Sequence, residues 1–304
     1  MPLIPQVRFD QILTNISIFW GPTTHIADDV LAPVPVAMES NVYWIFDKSR
    51  FNVPEALRAP RTIYKEIDWA ASRDNYYAQE YGLELKIDDR ERANAAAGID
   101  LDITSTEILT DNILNNRERR VANVVMNPAN FPGGMTIALA GTALWSDIAN
   151  SRPMDDVENG RNAIRMASGI LPNRIAMGYT VWSWLKRNTQ ILTMLDMARP
   201  TLELVANLFE VDTILVGSVL TNTAREGQPV ALGDVWGKNV LIYFYLERPA
   251  LRMPSFGYQM VVQQLRVYRY RVVEINCDVI RVNEIRAEKI VSSLLGYLIS
   301  PATA

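Results

Sequence analysis

Three observations predict an α+β fold in which a compact unit is inserted into the chain of a second one. Residues Tyr81 to Asp88 alternate apolar and charged with a period of two. Residues 104–127 read as a long helix opened by a cap signal. Strand character then returns after Val261, far along the chain from the segment it is expected to pair with. The 304 residues are 49% hydrophobic and 21% charged, enough apolar material for a real core, and the length admits one elaborate domain or two ordinary ones.

The chain opens with Pro2, Pro5, Pro22, Pro33 and Pro35 and short apolar stretches such as Ile16-Ser-Ile-Phe-Trp20. Proline removes backbone donors and disfavours helix in the residue before it, so the first forty residues are expected to form an extended arm. Phe19 and Trp20 on that arm need cover, from the chain's own core or from a partner subunit.

Tyr81, Leu83, Leu85 and Ile87 fall on one face of an expected strand and Glu80, Glu84, Lys86 and Asp88 on the other. Arg61 to Trp69 is a second candidate strand, with Ile63, Ile67 and Trp69 in step, and Ala70 to Asn75 supplies polar turn residues, so the two are expected to form a long hairpin. A two-stranded hairpin is marginal alone in water. Its apolar face, with Tyr64, Tyr76, Tyr77 and Tyr81 nearby, must lie against the chain's own core or a neighbour.

Thr104-Ser-Thr-Glu107 has the spacing of a capping box, which places a helix start at Thr104. Ile108, Leu109, Ile113, Leu114, Val121, Val124 and Val125 carry the helix to a stop before Pro128, about six turns. Its centre, Asn115 to Arg120, is wholly polar, so the middle is either wet or packed against a polar surface.

After Gly133-Gly134, Pro153, Asp155, Asp156 and Glu158 mark a helix N-terminus. Strands are expected at 174–178, 212–217 and 239–246, and helices at 181–186 and 201–209. Near the end Val273, Ile275, Cys277 and Val279 alternate with Glu274, Asn276 and Asp278, a strand that should pair with the region before residue 150.

Catalytic chemistry finds little purchase. His25 is the single histidine and lies in the proline-rich arm, which narrows nucleophilic catalysis to one possible base and excludes a multi-histidine metal site. Cys277 falls on an apolar strand face, where a free cysteine behaves as a small hydrophobe. Gly133-Gly134 is followed by neither a Walker-type nor a dinucleotide pattern. The carboxylate pairs Asp28-Asp29, Asp88-Asp89 and Asp155-Asp156 are adjacent residues and point to different faces. A net charge of -4 argues against a dedicated nucleic-acid reader. The single cysteine excludes an intrachain disulfide, and neither a signal peptide nor a membrane-spanning run is evident. No cofactor is expected.

Specific segments carry a resemblance. Asn162 to Arg187, with Ile170-Leu-Pro-Asn-Arg174, Ala176-Met and Trp182 to Leu185, is followed in order by Leu208-Phe-Glu-Val-Asp212, Val216-Gly217, Asn222-Thr-Ala224, Val235-Trp-Gly237, Pro254-Ser-Phe-Gly-Tyr258 and Gly296-Tyr-Leu-Ile299. The order of these segments resembles the second half of tailed-bacteriophage major capsid proteins, the HK-ninety-seven-like fold. That resemblance implies residues 1–58 as N-terminal arm and lead-in, 59–92 as the extended loop, and 93–146 with 251–304 as a peripheral domain. It makes residues 104–127 that domain's spine helix and 147–250 the inserted axial domain.

The resemblance further implies a head protein that self-assembles into hexamers and pentamers of an icosahedral shell around double-stranded DNA, assembled in the host cytoplasm, without sequence-specific binding. Scaffolding, portal and decoration proteins are the implied partners. The subunit-interface candidates are Phe19, Trp20, Arg61, Tyr64, Lys65, Trp69, Arg73, Tyr76, Tyr77, Arg225 and Glu226. An encapsulin-type nanocompartment shell is the nearest alternative. A carboxylate-dependent hydrolase is the alternative from another class, and would need a pocket with converging carboxylates.

Overall fold

A computed structural model describes residues 8–9, 25–46, 57–58, 64, 71–94, 100–196, 199–225, 227–248 and 255–303. In chain order the strands are β1 (Arg8–Phe9), β2 (Ala32–Pro35), β3 (Ser40–Phe46), β4 (Ala71–Tyr77), β5 (Gln79–Asp88), β6 (Thr136–Ile137), β7 (Arg174–Gly178), β8 (Thr213–Gly217), β9 (Leu220–Asn222), β10 (Leu232–Asp234), β11 (Val240–Tyr243), β12 (Gly257–Val272), β13 (Cys277–Ile290) and β14 (Gly296–Ile299). The α-helices are α1 (Ala27–Val30), α2 (Asp89–Asn94), α3 (Leu101–Val125), α4 (Pro153–Ser168), α5 (Tyr179–Leu185), α6 (Thr189–Leu195) and α7 (Leu202–Leu208).

Two sheets organise these elements. The first runs β1-β12-β13-β5, with β2 added in parallel to β12. Its centre is the long β12–β13 hairpin, and β5 pairs antiparallel with β13 along its whole length, Cys277 opposite Asp88 and Arg286 opposite Gln79. The expected pairing of the chain's end with the region before residue 150 is therefore present. The expected strand at Val273 is not: Val273–Ile275 is a single 3-10 turn, and Asn276 takes a positive φ of 50° to reverse the chain. The alternation of 273–279 thus spans a hairpin tip, where Val273 and Ile275 stand exposed.

Helix α3 lies across this sheet. Its N-cap is Asp100, whose side chain accepts from the amides of Asp102 and Ile103, so the helix begins before the Thr104 box that the sequence suggests. Thr104 instead turns its hydroxyl onto the Asp100 carbonyl. The buried stripe Ser105, Thr106, Leu109, Thr110, Ile113, Arg117, Val121 and Val125 follows helical spacing. Leu109 and Ile113 pack with Ile87, Leu265, Val267, Ile280 and Val282. The buried hydroxyls of Thr106 and Thr110 donate to the carbonyls of Asp102 and Thr106, one turn back along the helix.

The second sheet has the order β6-β14-β11-β7-β8 and carries the largest core, built from Ile175, Met177, Val240, Leu241, Ile242, Leu298 and Ile299. Helix α4 starts with proline at N1 and aspartates in its first turn, as expected, and ends at Gly169 in the left-handed region. A side chain at its Gly160 would come within 2.7 Å of the Tyr297 ring, so glycine there permits close approach of helix to sheet. Strands 174–178, 213–217 and 240–243 and helices 179–185 and 202–208 match expectation, and α6 is an addition to it. Gly296–Ile299 pairs antiparallel with β11 inside this second sheet.

The extended-loop expectation changes in its pairing. β4 pairs antiparallel with β3, Asn41 opposite Tyr76 and Val42 opposite Asn75, so Ala71 to Asn75 is strand and not turn. The expected strand 61–69 lies outside the described residues except at Tyr64.

The arm is likewise not wholly extended. Ile26, Ala27, Val30 and Leu31 enter the main core, with α1 making one helical turn, and β2 joins the first sheet.

Candidate assembly surfaces and the buried polar hub

The β3–β4 ribbon stands outside both large sheets. Register puts Val42, Arg73, Asn75 and Tyr77 on one face, and Val42 and Tyr77 are 52% and 65% exposed. The opposite face is held by the chain itself: Tyr76 is 5% exposed, packs with Tyr258, Met260 and Ala287, and donates its hydroxyl to the Met38 carbonyl. Tyr76 therefore anchors the ribbon root and needs no neighbour to cover it. Across the ribbon Tyr43 donates to Asp74 at 2.7 Å, which holds the Asp74 carboxyl below its ordinary range and, with burial, pushes the Tyr43 phenol up.

Tyr64 is 75% exposed beneath the Arg58 guanidinium, 4.2 Å from the ring centre. Phe19, Trp20, Arg61, Lys65, Trp69 and Glu226 lie outside the described residues. Arg225 is exposed in the connection between β9 and β10. That small hairpin presents Leu220, Val230 and Leu232 to solvent, with Leu220 and Leu232 on one face. These apolar side chains were not singled out in the sequence, where each is one residue among ordinary strand formers.

The polar centre of α3 is not wet. Arg117 and Arg120 turn inward against charged residues that alternate along β13, and Glu118 turns inward onto Ala27 and Trp236. Arg117 pairs with Glu284 through Nη2 and with Asp28 through Nη1 at 2.9 Å. Arg120 reaches Glu284 at 2.9 Å and Glu288 at 3.0 Å, and lies 3.5 Å from the Tyr81 ring centre. Arg286 meets Glu284 at 3.0 Å and Asp28 at 3.3 Å. Burial pushes the Glu284 carboxyl up, but Arg117 and Arg286 outweigh it and hold the group below its ordinary range.

Glu118 is 1% exposed and accepts two 2.6 Å hydrogen bonds, from the Ala27 amide and from the Trp236 indole. It thus joins the arm root, the long helix and the connection between β10 and β11 at one carboxyl group. Burial raises its pKa despite those two donors. The sequence signal for this hub was the wholly polar stretch at the helix centre, together with Glu284, Arg286 and Glu288 at period two on a buried strand.

The nominal catalytic carboxylates are engaged elsewhere. Asp28 receives Arg117 and Arg286, Asp88 accepts from the Arg90 amide, Asp89 pairs with Arg271, and Asp156 accepts from the Trp145 indole. His25 bonds Asn115 at 2.9 Å. Cys277 is buried, its thiol at 3.2 Å from the Ile275 carbonyl. No helix among the described residues is long and apolar enough to cross a membrane.

Comparison with known proteins accounts for this arrangement of ribbon, long helix and two sheets. The chain is 28% identical over 302 residues to the major capsid protein of Burkholderia phage BcepMu, covering 96% of this chain and 95% of the relative. It is 29% identical over 247 residues to the major capsid protein of Pseudomonas phage JBD67, covering 79% and 78%. The chain is a phage major capsid protein homologue.

No protein-family model matches this capsid-protein homologue. Among solved structures, a phage-related protein from Bordetella bronchiseptica RB50 superposes with a TM-score of 0.78 at 26% identity, over 97% of this chain and 98% of that one. The capsid of cyanophage P-SCSP1u (TM-score 0.59, 12% identity, 94% and 90% coverage) and the SrpI encapsulin of Synechococcus elongatus PCC 7942 (0.57, 12%, 92% and 89%) share its fold. The capsid-protein homologue therefore has the HK-ninety-seven-like fold. Its relatives are named as major capsid proteins and not as enzymes.

Proposed function

We propose that this chain builds the head of a tailed phage, self-assembling into hexameric and pentameric capsomers of an icosahedral shell around double-stranded DNA. The observation that supports this reading most directly is the β3–β4 ribbon. It is rooted in its own subunit through Tyr76, yet it presents Val42 and Tyr77 to solvent, with Tyr64 exposed beyond it. Apolar side chains displayed on an isolated two-stranded ribbon are stabilised when a neighbouring subunit covers them. Arm residues Phe19 and Trp20 and loop residues Arg61, Lys65, Trp69 and Arg73 belong to the same proposed contact. Arg225 and Glu226 belong to a second one, around capsomer centres, with Leu220, Val230 and Leu232 beside them.

Closure of a shell makes each subunit depend on several modest contacts at once, so no single interface has to be strong. A net charge of -4 limits adhesion of the inner wall to packaged phosphates. Scaffolding, portal and decoration proteins are the proposed partners, with assembly in the host cytoplasm.

A nanocompartment shell is the second reading, favoured by the shared fold with an encapsulin; the names of the sequence relatives weigh against it. Negative-stain microscopy and sedimentation of the purified chain, expressed alone and with its neighbouring genes, test the proposal. Closed uniform shells or regular capsomers are expected. A persistent folded monomer under both conditions overturns the assembly role, and shells that fill with a cargo enzyme favour the second reading.

A further inference from the structure

The hub between α3 and β13 is balanced in charge only when the arm contributes. Arg117, Arg120 and Arg286 are nearly buried, with side chains 8%, 13% and 5% exposed, and face Glu284 and Glu288 at 0% and 7%. Three cations against two anions leave one buried positive charge. The third anion is Asp28, which bonds Arg117 Nη1 at 2.9 Å and Arg286 Nη1 at 3.3 Å. Asp28 belongs to neither the helix nor the β12–β13 hairpin. It sits on the short helix α1 at the arm root, and its own side chain is half exposed.

The arm root is fastened around that residue by a built set of contacts. Gln259 Nε2 donates to the Asp28 carboxylate at 2.9 Å and to the carbonyls of Ala27 and Leu31. Glu118 takes the Ala27 amide, and Arg174 Nη1 donates to the Asp29 carbonyl at 2.6 Å.

We propose that Asp28 is an arm-borne counter-ion that couples docking of the arm root to the order of the central turn of the long helix. With the root seated, the arginines are neutralised and the helix packs on β13. With the root lifted, one buried arginine is left without a counter-charge, and burying an uncompensated charge is strongly destabilising. The helix centre then loosens or admits an anion from solvent. The arm is thereby a sensor element read at Arg117, a device that goes beyond the shell-building role and stands whether or not the subunit is in a shell.

Hydrogen exchange on the full-length chain tests it. Asp28→Asn should lower protection by roughly tenfold or more over residues 27–31 and also over residues 113–121, while residues 175–177 of the second sheet stay unchanged. The double variant D28N/R117M removes one anion and one cation, leaving two of each, and should recover protection over 113–121 relative to D28N. Unchanged protection of 113–121 in D28N overturns the proposal. So does a double variant no better protected than D28N, because a merely structural loss of hydrogen bonds at Asp28 would not be rescued by removing Arg117. Should D28N fail to give soluble protein, the charge-balanced double variant must still fold; its failure also overturns the proposal.

Discussion

Arg117 and Glu284, separated by 167 residues in the chain, meet as a two-pronged ion pair in the interior, Nη2 on one carboxylate oxygen and Nε at 3.5 Å from the other. One partner comes from the middle of the long helix and the other from the central strand of the first sheet, so this pair fixes how the helix lies on the sheet. Replacing a buried pair with apolar residues can be neutral, whereas breaking it by removing one partner leaves a stranded charge.

Glu284→Gln should therefore destabilise the subunit by about 3–5 kcal/mol. Combining it with Arg117→Met should cost less than the sum of the two single changes, because the second removes the charge that the first strands. Chemical denaturation of the four forms measures this directly, and strict additivity would show that the two residues do not act as a pair.

The two buried glutamates should give opposite pH dependence. Glu284 has a lowered pKa, so its stabilisation is present above its unfolded value of about 4.3 and is lost as pH falls through the lower folded value. Glu118 has a raised pKa, so its contribution is present below about 4.3 and is lost as pH rises through the higher folded value. The destabilisation caused by Glu284→Gln should grow from pH 3.5 to pH 7, and that caused by Glu118→Gln should shrink. Denaturation midpoints across that range decide it; slopes of the same sign would be inconsistent with the assigned shifts.

What the sequence disclosed and concealed divides along physical lines. Three strands of the second sheet, β7, β8 and β11, and the helices α4 and α7 were legible because local signals agree there, as at Pro153 with Asp155 and Asp156, or Thr201 before α7. The start of α3 was misplaced because two cap signals overlap, and Asp100, immediately before apolar Leu101, is the one whose side chain reaches the free amides. The Val273 alternation misled because apolar residues stand exposed at a hairpin tip, where periodicity carries no burial information. The loop pairing was missed since Ser40–Phe46 and Ala71–Tyr77 are brought together by a connection of more than twenty residues, and register across such a gap has no local signature. The polar helix centre was noticed, but its partners on β13 are visible only once helix and strand are placed together.

Shell formation and folding should separate at the ribbon. Tyr77→Ala removes an exposed side chain, so subunit stability should change by no more than about 0.5 kcal/mol. If Tyr77 anchors a subunit contact, its truncation should cost more than about 1 kcal/mol per contact and visibly reduce shell yield. Trp69→Ala is expected to behave in the same way. Circular dichroism melts beside particle counts by electron microscopy provide the two readouts, and normal shell yield from both variants would remove the ribbon from the proposed interface.

Among the glycines of the described residues, Gly217 leaves the least room for a Cβ. It ends β8 directly beside Trp236, whose indole is buried and bonded to Glu118. A Cβ placed on Gly217 would lie 2.0 Å from Trp236 Cδ1 and 2.4 Å from its Nε1, and the indole cannot step aside without giving up the Glu118 carboxylate. Gly217→Ala should therefore cost about 1–3 kcal/mol through overpacking. It should also weaken the hold on the arm root, since Glu118 binds Trp236 and Ala27 together. Trp236→Phe separates the two effects: it removes the indole donor and much of the clash, so the pair G217A/W236F should be less destabilised than the sum of its parts. Tryptophan fluorescence and urea midpoints of the three variants measure this, and full additivity would mean that Gly217 is constrained by something other than the indole.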